Sequence, residues 1–338
     1  MKLLNLKKIS ALTTLAAVAG ASLAACSGTT QGSTAEQTQS EIQTDEAASA
    51  NTNAQDQSVV KVKLGYLPIT HALAILEEKE LIEKEKPGVE IELVKFSAWS
   101  DLTDALNAGQ IDGASVLIEL AMSAKSKGVD LKAVALGHKD GNVIITSEDI
   151  NSAEDLKGKT FAIPSTQSSH NILLNDLLAK GGLTTDDVNV VQLPPPEMPA
   201  SLASGAIDGY CVAEPFGAQA VSQGVGKVLN YSEELWADSV CCGLVLNNSF
   251  ITANPEATDT LITKYYEAGE KLEDKTEAKR IASEYLGQSD DVLDTSLQWI
   301  HFDDLELTAA EYGTLADKVK EYRINEEPPA YTEFIYSK

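Results

Sequence analysis

Two short polar stretches carry the residue types best suited to hold a ligand: Thr70-His71 and Ser165-Thr166-Gln167-Ser168-Ser169-His170. Each precedes a segment of helical periodicity, so free backbone N–H groups and the positive end of a helix dipole point at whatever lies beyond. The hydroxyls of Thr70, Ser165, Thr166 and Ser168 add donors without charge, and His71 and His170 add imidazoles. Ligands of open α/β sheets sit beyond the carboxyl ends of the strands. That rule adds Trp99, Ser115, Asn142 and Glu214 to the candidates, Trp99 as an aromatic wall. Each hydroxyl, taken singly, also reads as a helix N-cap. His138 and His301 have no sequence neighbours that suggest a site.

The thiols allow three readings. Cys211, Cys241 and Cys242 all fall near the expected cleft or hinge, and Cys242 joins the ligand-binding candidates. A disulfide from Cys211 to one of the pair cannot be assigned from spacing. Three thiolates could hold a soft metal. Buried thiols on adjacent strands pack as small hydrophobes, and this reading is preferred, so neither a metal nor a cofactor is expected. Arginine occurs only as Arg280 and Arg323, which leaves the cleft without a guanidinium fork for carboxylate or phosphate. Nucleophile elbow, metal-spaced His pair and phosphate loop are missing from the sequence. No catalytic residue is assigned, and the chain reads as a binder rather than an enzyme.

An octet written twice indicates the elements that position these groups. Leu106-Asn107-Ala108-Gly109-Gln110-Ile111-Asp112-Gly113 returns as Leu202-Ala203-Ser204-Gly205-Ala206-Ile207-Asp208-Gly209. Each copy ends an amphipathic run and opens a run of small apolar residues, the pattern of a helix stopped by Gly before a buried strand. Strand and helix patterns alternate from Val60 to Leu136 and again from Val143 to Leu246, as in an α/β protein of mixed, mostly parallel sheets flanked by helices. After Asn254 the chain reads as a helical extension. The expected organisation is a discontinuous first lobe, 59–141 plus 240–338, with a second lobe, 142–239, inserted between them. A ligand would sit between the two.

Residues 1–25 read as an export signal: Lys2, Lys7 and Lys8 precede an apolar stretch too short to span a bilayer comfortably. Leu23-Ala24-Ala25-Cys26 is similar to a bacterial lipobox, which implies a lipid on Cys26 that anchors the chain to the extracytoplasmic face of the cell membrane. Residues 26–58 hold too few large apolar side chains to fold and form a tether. The chain of 338 residues carries 51 Asp plus Glu against 26 Lys plus Arg. That balance argues against nucleic acid as a partner and leaves a small molecule as the expected ligand.

The stretch Pro194-Pro195-Pro196-Glu197-Met198 through Glu214-Pro215-Phe216 resembles the substrate-binding proteins of nitrate/sulfonate/taurine/bicarbonate ABC importers, relatives of the thiamine-pyrimidine binders. The resemblance runs from about Lys61 to Asn254. It implies a two-lobed periplasmic-binding-protein-like fold of type II that closes on a small solute, with permease and ATPase subunits as partners. In nitrate-type members a Trp and a His contact the anion, and Trp99 and His170 fall at those places. Asn142 stands where a Gln contact is expected, and Cys241-Cys242 where a basic contact is. The alternatives are a binder of a thiamine-pyrimidine precursor or other small aromatic, and an enzyme related to thiamine-pyrimidine synthase.

Overall fold

The structure is a computed structural model and describes residues 59–337. The export signal, Cys26 and the tether lie outside the described residues.

Val60–Tyr66 (β1) alternates exposed and buried positions, with Val62 and Leu64 pointing into the core. Val89–Lys95 (β2) and Gly113–Leu117 (β3) lie parallel on either side of it. Leu131–Leu136 (β4) completes this sheet only through a strand from much later in the chain. The segment between supplies a second sheet: Asn142–Thr146 (β6), Thr160–Ile163 (β7), Asn189–Gln192 (β8), Gly209–Ala213 (β9) and Lys227–Tyr231 (β10), preceded by the two-residue strand Lys139–Asp140 (β5). Cys242–Asn247 (β11) then returns antiparallel between β3 and β4. The orders are β2-β1-β3-β11-β4 and β10-β6-β9-β7-β8. Each sheet is evenly mixed: two pairings are parallel and two antiparallel, the latter made by the strand that arrives from the other half. This corrects the mostly parallel expectation.

The repeated octet explains why both sheets are built alike. It ends the helix Trp99–Asn107 (α2) with Gly109 at φ +65° and ends Met198–Ala203 (α5) with Gly205 at φ +70°. A Cβ is strained in that left-handed region. The Asp of each copy then receives a backbone N–H of the neighbouring strand: Lys63 N, in the middle of β1, to Asp112 Oδ2 and Thr160 N, at the start of β7, to Asp208 Oδ2, both 2.8 Å. The strands that follow, β3 and β9, are buried throughout and made of small and apolar residues, as central strands covered on both faces must be.

Helices Leu73–Glu85 (α1), Ile118–Ser126 (α3), Ser169–Lys180 (α4) and Phe216–Ser222 (α6) connect strands, and Asn248–Ala253 (α7) leads from β11 into the tail. The helical tail comprises Pro255–Leu272 (α8), Lys275–Leu286 (α9), Asp290–Ser296 (α10), Ala309–Glu321 (α11) and Tyr331–Phe334 (α12). It is interrupted by Ile300–His301 (β12), which pairs with β5. Strand β10 has no clear sequence pattern because its residues are only half-buried at a sheet edge. The helix after β9 starts at Phe216, and Glu214 caps it by accepting from Ala218 N at 2.8 Å. No helix of the described residues is long and apolar enough to cross a membrane.

Two segments run between the sheets, from Gly137 to Asn142 and from Ser239 to Cys242. They zip antiparallel through Gly137 N to Cys242 O (2.7 Å), Asp140 N to Ser239 O (3.0 Å) and a bridge between Lys139 and Val240. Asp140 Oδ1 also takes the Ser239 amide and hydroxyl, each at 3.0 Å. This pairing sets the register of the candidate site.

A buried thiol and imidazole cluster as the candidate binding site

The antiparallel zipper puts His138 beside Cys241 and Cys242, and the turn after β1 brings His71 onto them. The rings of His71 and His138 stack with centroids 3.5 Å apart. Cys242 Sγ lies 3.6 Å from His71 Nδ1 and 3.9 Å from Cys241 Sγ. Cys241 Sγ stands 3.8 Å from Asn142 Oδ1. All of these side chains are buried, and one donor atom from each of His71, His138, Cys241 and Cys242 falls within 4.8 Å of the others.

Hydrogen bonds assign the imidazole tautomers. His71 Nε2 faces the carbonyl of Gly141 at 3.2 Å and carries the proton, so Nδ1 turns its lone pair toward Cys242. His138 Nε2 accepts from the Cys242 amide at 3.3 Å, and its Nδ1 has no partner. Burial, then the neighbouring His138, pulls the His71 pKa down to about 4, so the ring is neutral at physiological pH. Burial pushes Cys242 well up, with the adjacent Cys241 adding to it. Burial opposes ionisation of Cys241 too, but the Cys242 thiol and the surrounding imidazoles outweigh it and draw Cys241 well down. One thiol of the pair gives up its proton readily and the other holds on.

Around this core sit polar groups that the fold leaves unsatisfied. His170, second residue of α4, is buried with neither ring nitrogen in a hydrogen bond, and the charge on Cys241 reaches it. Glu119 on α3 is buried with both oxygens unpartnered; burial, and then Cys241, push its carboxyl well up. Ser169 Oγ and Asn142 Nδ2 have no partners either. Unsatisfied buried polar atoms at this density call for an explanation, since each costs about 1–3 kcal/mol.

The remaining candidates disperse. Trp99 and Ser165 line a separate 340 Å³ opening with Thr103, Leu120, Gln192 and Pro194, and Trp99 Nε1 is unpartnered there. Thr70 donates its amide and hydroxyl to the carbonyl of Glu214, tying the two halves. Ser168 caps α4, accepting from Asn171 N and donating to Ser165 O. Thr166 is exposed, its amide on Gln192. Ser115 is buried in mid-β3, opposite Leu244. The Glu214 carboxylate serves its helix, not the cleft. Arg280 is taken up by Glu77, Glu80 and Glu277. An 870 Å³ groove beside Asn107, Asn247 and Thr252 lies at the opposite ends of β3 and β11 from the cluster.

Cys211 is a free thiol in the core of the second sheet, in line with the preferred reading of buried thiols, and it joins neither a disulfide nor the cluster. One expectation about the histidines needs correction. His138, set aside for want of sequence neighbours, stands in the middle of the cluster. Glu119 also went unread, because an acid in a helix ordinarily faces solvent.

The profile of the NMT1-like family matches residues 55–287. The chain belongs to that family. A nitrate/nitrite binding protein of Nostoc is 29% identical to this NMT1-like chain over 259 residues, covering 69% of it and 59% of the relative. The ligand-binding component of an ABC-type import system from Staphylococcus aureus, crystallised with zinc bound, is 37% identical. Its TM-score is 0.79, and the match covers 82% of this chain and 96% of that one. The periplasmic aliphatic sulphonate binding protein of Escherichia coli shares the fold at 22% identity and TM-score 0.67, covering 82% of this chain and 92% of that one. The chain spans 38–59% of the length of the first curated relatives it matches. The α/β architecture of two mixed sheets with flanking helices and a helical extension is that of these periplasmic binding proteins.

Proposed function

We propose that this chain is the extracytoplasmic substrate-binding component of an ABC importer, held at the membrane by a lipid on Cys26, and that it performs no catalysis. A first lobe, 59–141 with 240–338, and a second, 142–239, would close on a small solute and hand it to the permease. One observation carries the reading: the two sheets are joined by crossing strands, and the unsatisfied polar groups gather where those strands meet the helix start at His170. A ligand that touches both lobes shifts their equilibrium by its preference for the closed arrangement.

Names borne by relatives set the solutes to try: nitrate, alkanesulfonates and, from the Staphylococcus aureus component, zinc. Bicarbonate, taurine and thiamine pyrimidines complete the panel. Cells lacking the chain are expected to lose high-affinity uptake of one panel solute and regain it on complementation. Unchanged uptake of every solute would end the importer reading.

A further inference from the structure

We propose that the cargo of this chain is a thiophilic metal cation of the zinc type, bound by the Sγ atoms of Cys241 and Cys242 and one ring nitrogen each of His71 and His138, with His170 closing over it. The inference rests on the importer reading and names its substrate class.

Spacing is the first argument. A tetrahedral ion with metal–sulfur bonds of about 2.3 Å and metal–nitrogen bonds of about 2.0–2.1 Å places two sulfurs about 3.8 Å apart and a sulfur and a nitrogen about 3.6 Å apart. The chain holds its two sulfurs 3.9 Å apart and Cys242 Sγ 3.6 Å from His71 Nδ1. Two edges of the coordination tetrahedron are thus in place, and His138 completes it by giving up the Cys242 amide and turning out of its stack on His71.

Charge is the second. Two thiolates, two neutral imidazoles and a divalent cation sum to zero, which a buried site tolerates far better than a net charge. Each metal–sulfur bond needs a thiolate, so any proton still held by the Cys241 or Cys242 sulfur leaves to solvent as that bond forms. A bare anion would have to sit beside two thiols and the buried carboxyl of Glu119, with both arginines elsewhere. Soft sulfur donors favour zinc or copper(I) over hard oxygen-seeking cations.

Placement is the third. His71 precedes α1, His138 and the two cysteines lie on the crossing strands, and His170 opens α4 of the second sheet. Both ring nitrogens of His170 are buried and free of partners, which leaves it able to contact an ion held by the other four. A site shared in this way couples metal capture to lobe closure. Among the described residues a second cluster of potential ligands, Glu273, His301 and Asp303, lies mostly at the surface and lacks sulfur.

The test uses the full chain, reduced and stripped of metal. Equilibrium dialysis against Zn²⁺ with a competing chelator should show one tightly bound ion per chain, and Co²⁺ should produce a thiolate charge-transfer band. Cys241→Ser and Cys242→Ser should each weaken binding by at least about 100-fold, while Cys211→Ser keeps it. The Co²⁺ spectrum of the unaltered chain decides the matter even where a variant fails to fold. No stoichiometric zinc, no thiolate band, or full affinity in a folded Cys242→Ser chain overturns the metal site. It leaves the importer reading standing wherever cells lacking the chain lose uptake of an anion of the panel. Zinc held at the cluster with zinc uptake unchanged in such cells overturns the cargo role instead.

Discussion

Cys242 Sγ stands 3.6 Å from His71 Nδ1 although the two residues are 171 positions apart in the chain. The contact exists because β11 leaves the second half of the molecule and re-enters the first sheet between β3 and β4, bringing its first residue under the turn that follows β1. Long-range topology, not local sequence, builds the donor set.

Acid should weaken the fold through this contact. Burial, with the neighbouring His138, pulls the His71 pKa from the ordinary imidazole value of 6.5 down to about 4 in the folded chain, which favours the neutral ring. The contribution is complete above pH 6.5 and disappears as pH falls toward 4. A shift of this size corresponds to about 3 kcal/mol from the one group. Urea unfolding of the metal-free chain at pH 7 and pH 4.5 should reveal the loss, and His71→Gln should reduce the slope between them. A slope equal in both chains would contradict a buried neutral imidazole.

Glu214 should act with the opposite sign. Its carboxyl is pushed up to about 7 by burial, against the pull of the Ala218 and Gly217 amides. The stabilising contribution is present below the ordinary glutamate value of 4.5 and lost as pH rises through 7, with a span of about 3 kcal/mol. Glu214→Gln keeps an oxygen for the Ala218 amide without titrating. It should gain stability relative to the parent at pH 8 and none at pH 4. Equal differences at both pH values would place the carboxylate in water.

The two copies of the octet should behave alike on mutation. Asp112→Ala and Asp208→Ala each remove the carboxylate from a backbone amide of the neighbouring strand at 2.8 Å. Each should cost about 1.5 kcal/mol, and the double variant about twice that, because separate sites add. Equilibrium denaturation measures all three. A silent Asp208→Ala would mean that the repeat is formal, not structural.

These two carboxylates also show where sequence reasoning reaches. The octet was legible because its signals are local: a Gly with positive φ, a helix before it and small apolar residues after it. Strands such as Leu131–Leu136 and Thr160–Ile163 were legible for the same reason, since burial on both faces leaves the apolar runs 133–136 and 161–163 within them. His138 was not, because what makes it a site residue is a pairing with a strand 104 residues later. The antiparallel pairing of Lys139 with Val240 sets His138 beside Cys241, and nothing local in the sequence announces that register. Glu214 misled in the other direction: an acid at a strand end reads as a ligand contact, while its carboxylate closes its own helix.

Contacts across the cleft should set the balance between open and closed forms. Asp176 on α4 accepts from Lys318 Nζ at 2.8 Å and from the Tyr322 hydroxyl at 2.5 Å, and Gln167 donates to Ser123 Oγ at 3.0 Å. Asp176→Ala with Gln167→Ala should enlarge the ligand-free chain in solution scattering and speed ligand release. An unchanged radius of gyration would mean that these bonds do not hold the halves together.

X-ray absorption at the zinc edge of the loaded full chain examines the central claim most directly. The account predicts two sulfur scatterers at about 2.3 Å together with an imidazole shell. A first shell of oxygen and nitrogen alone would put the ion at surface groups such as Glu273, His301 and Asp303 and contradict it.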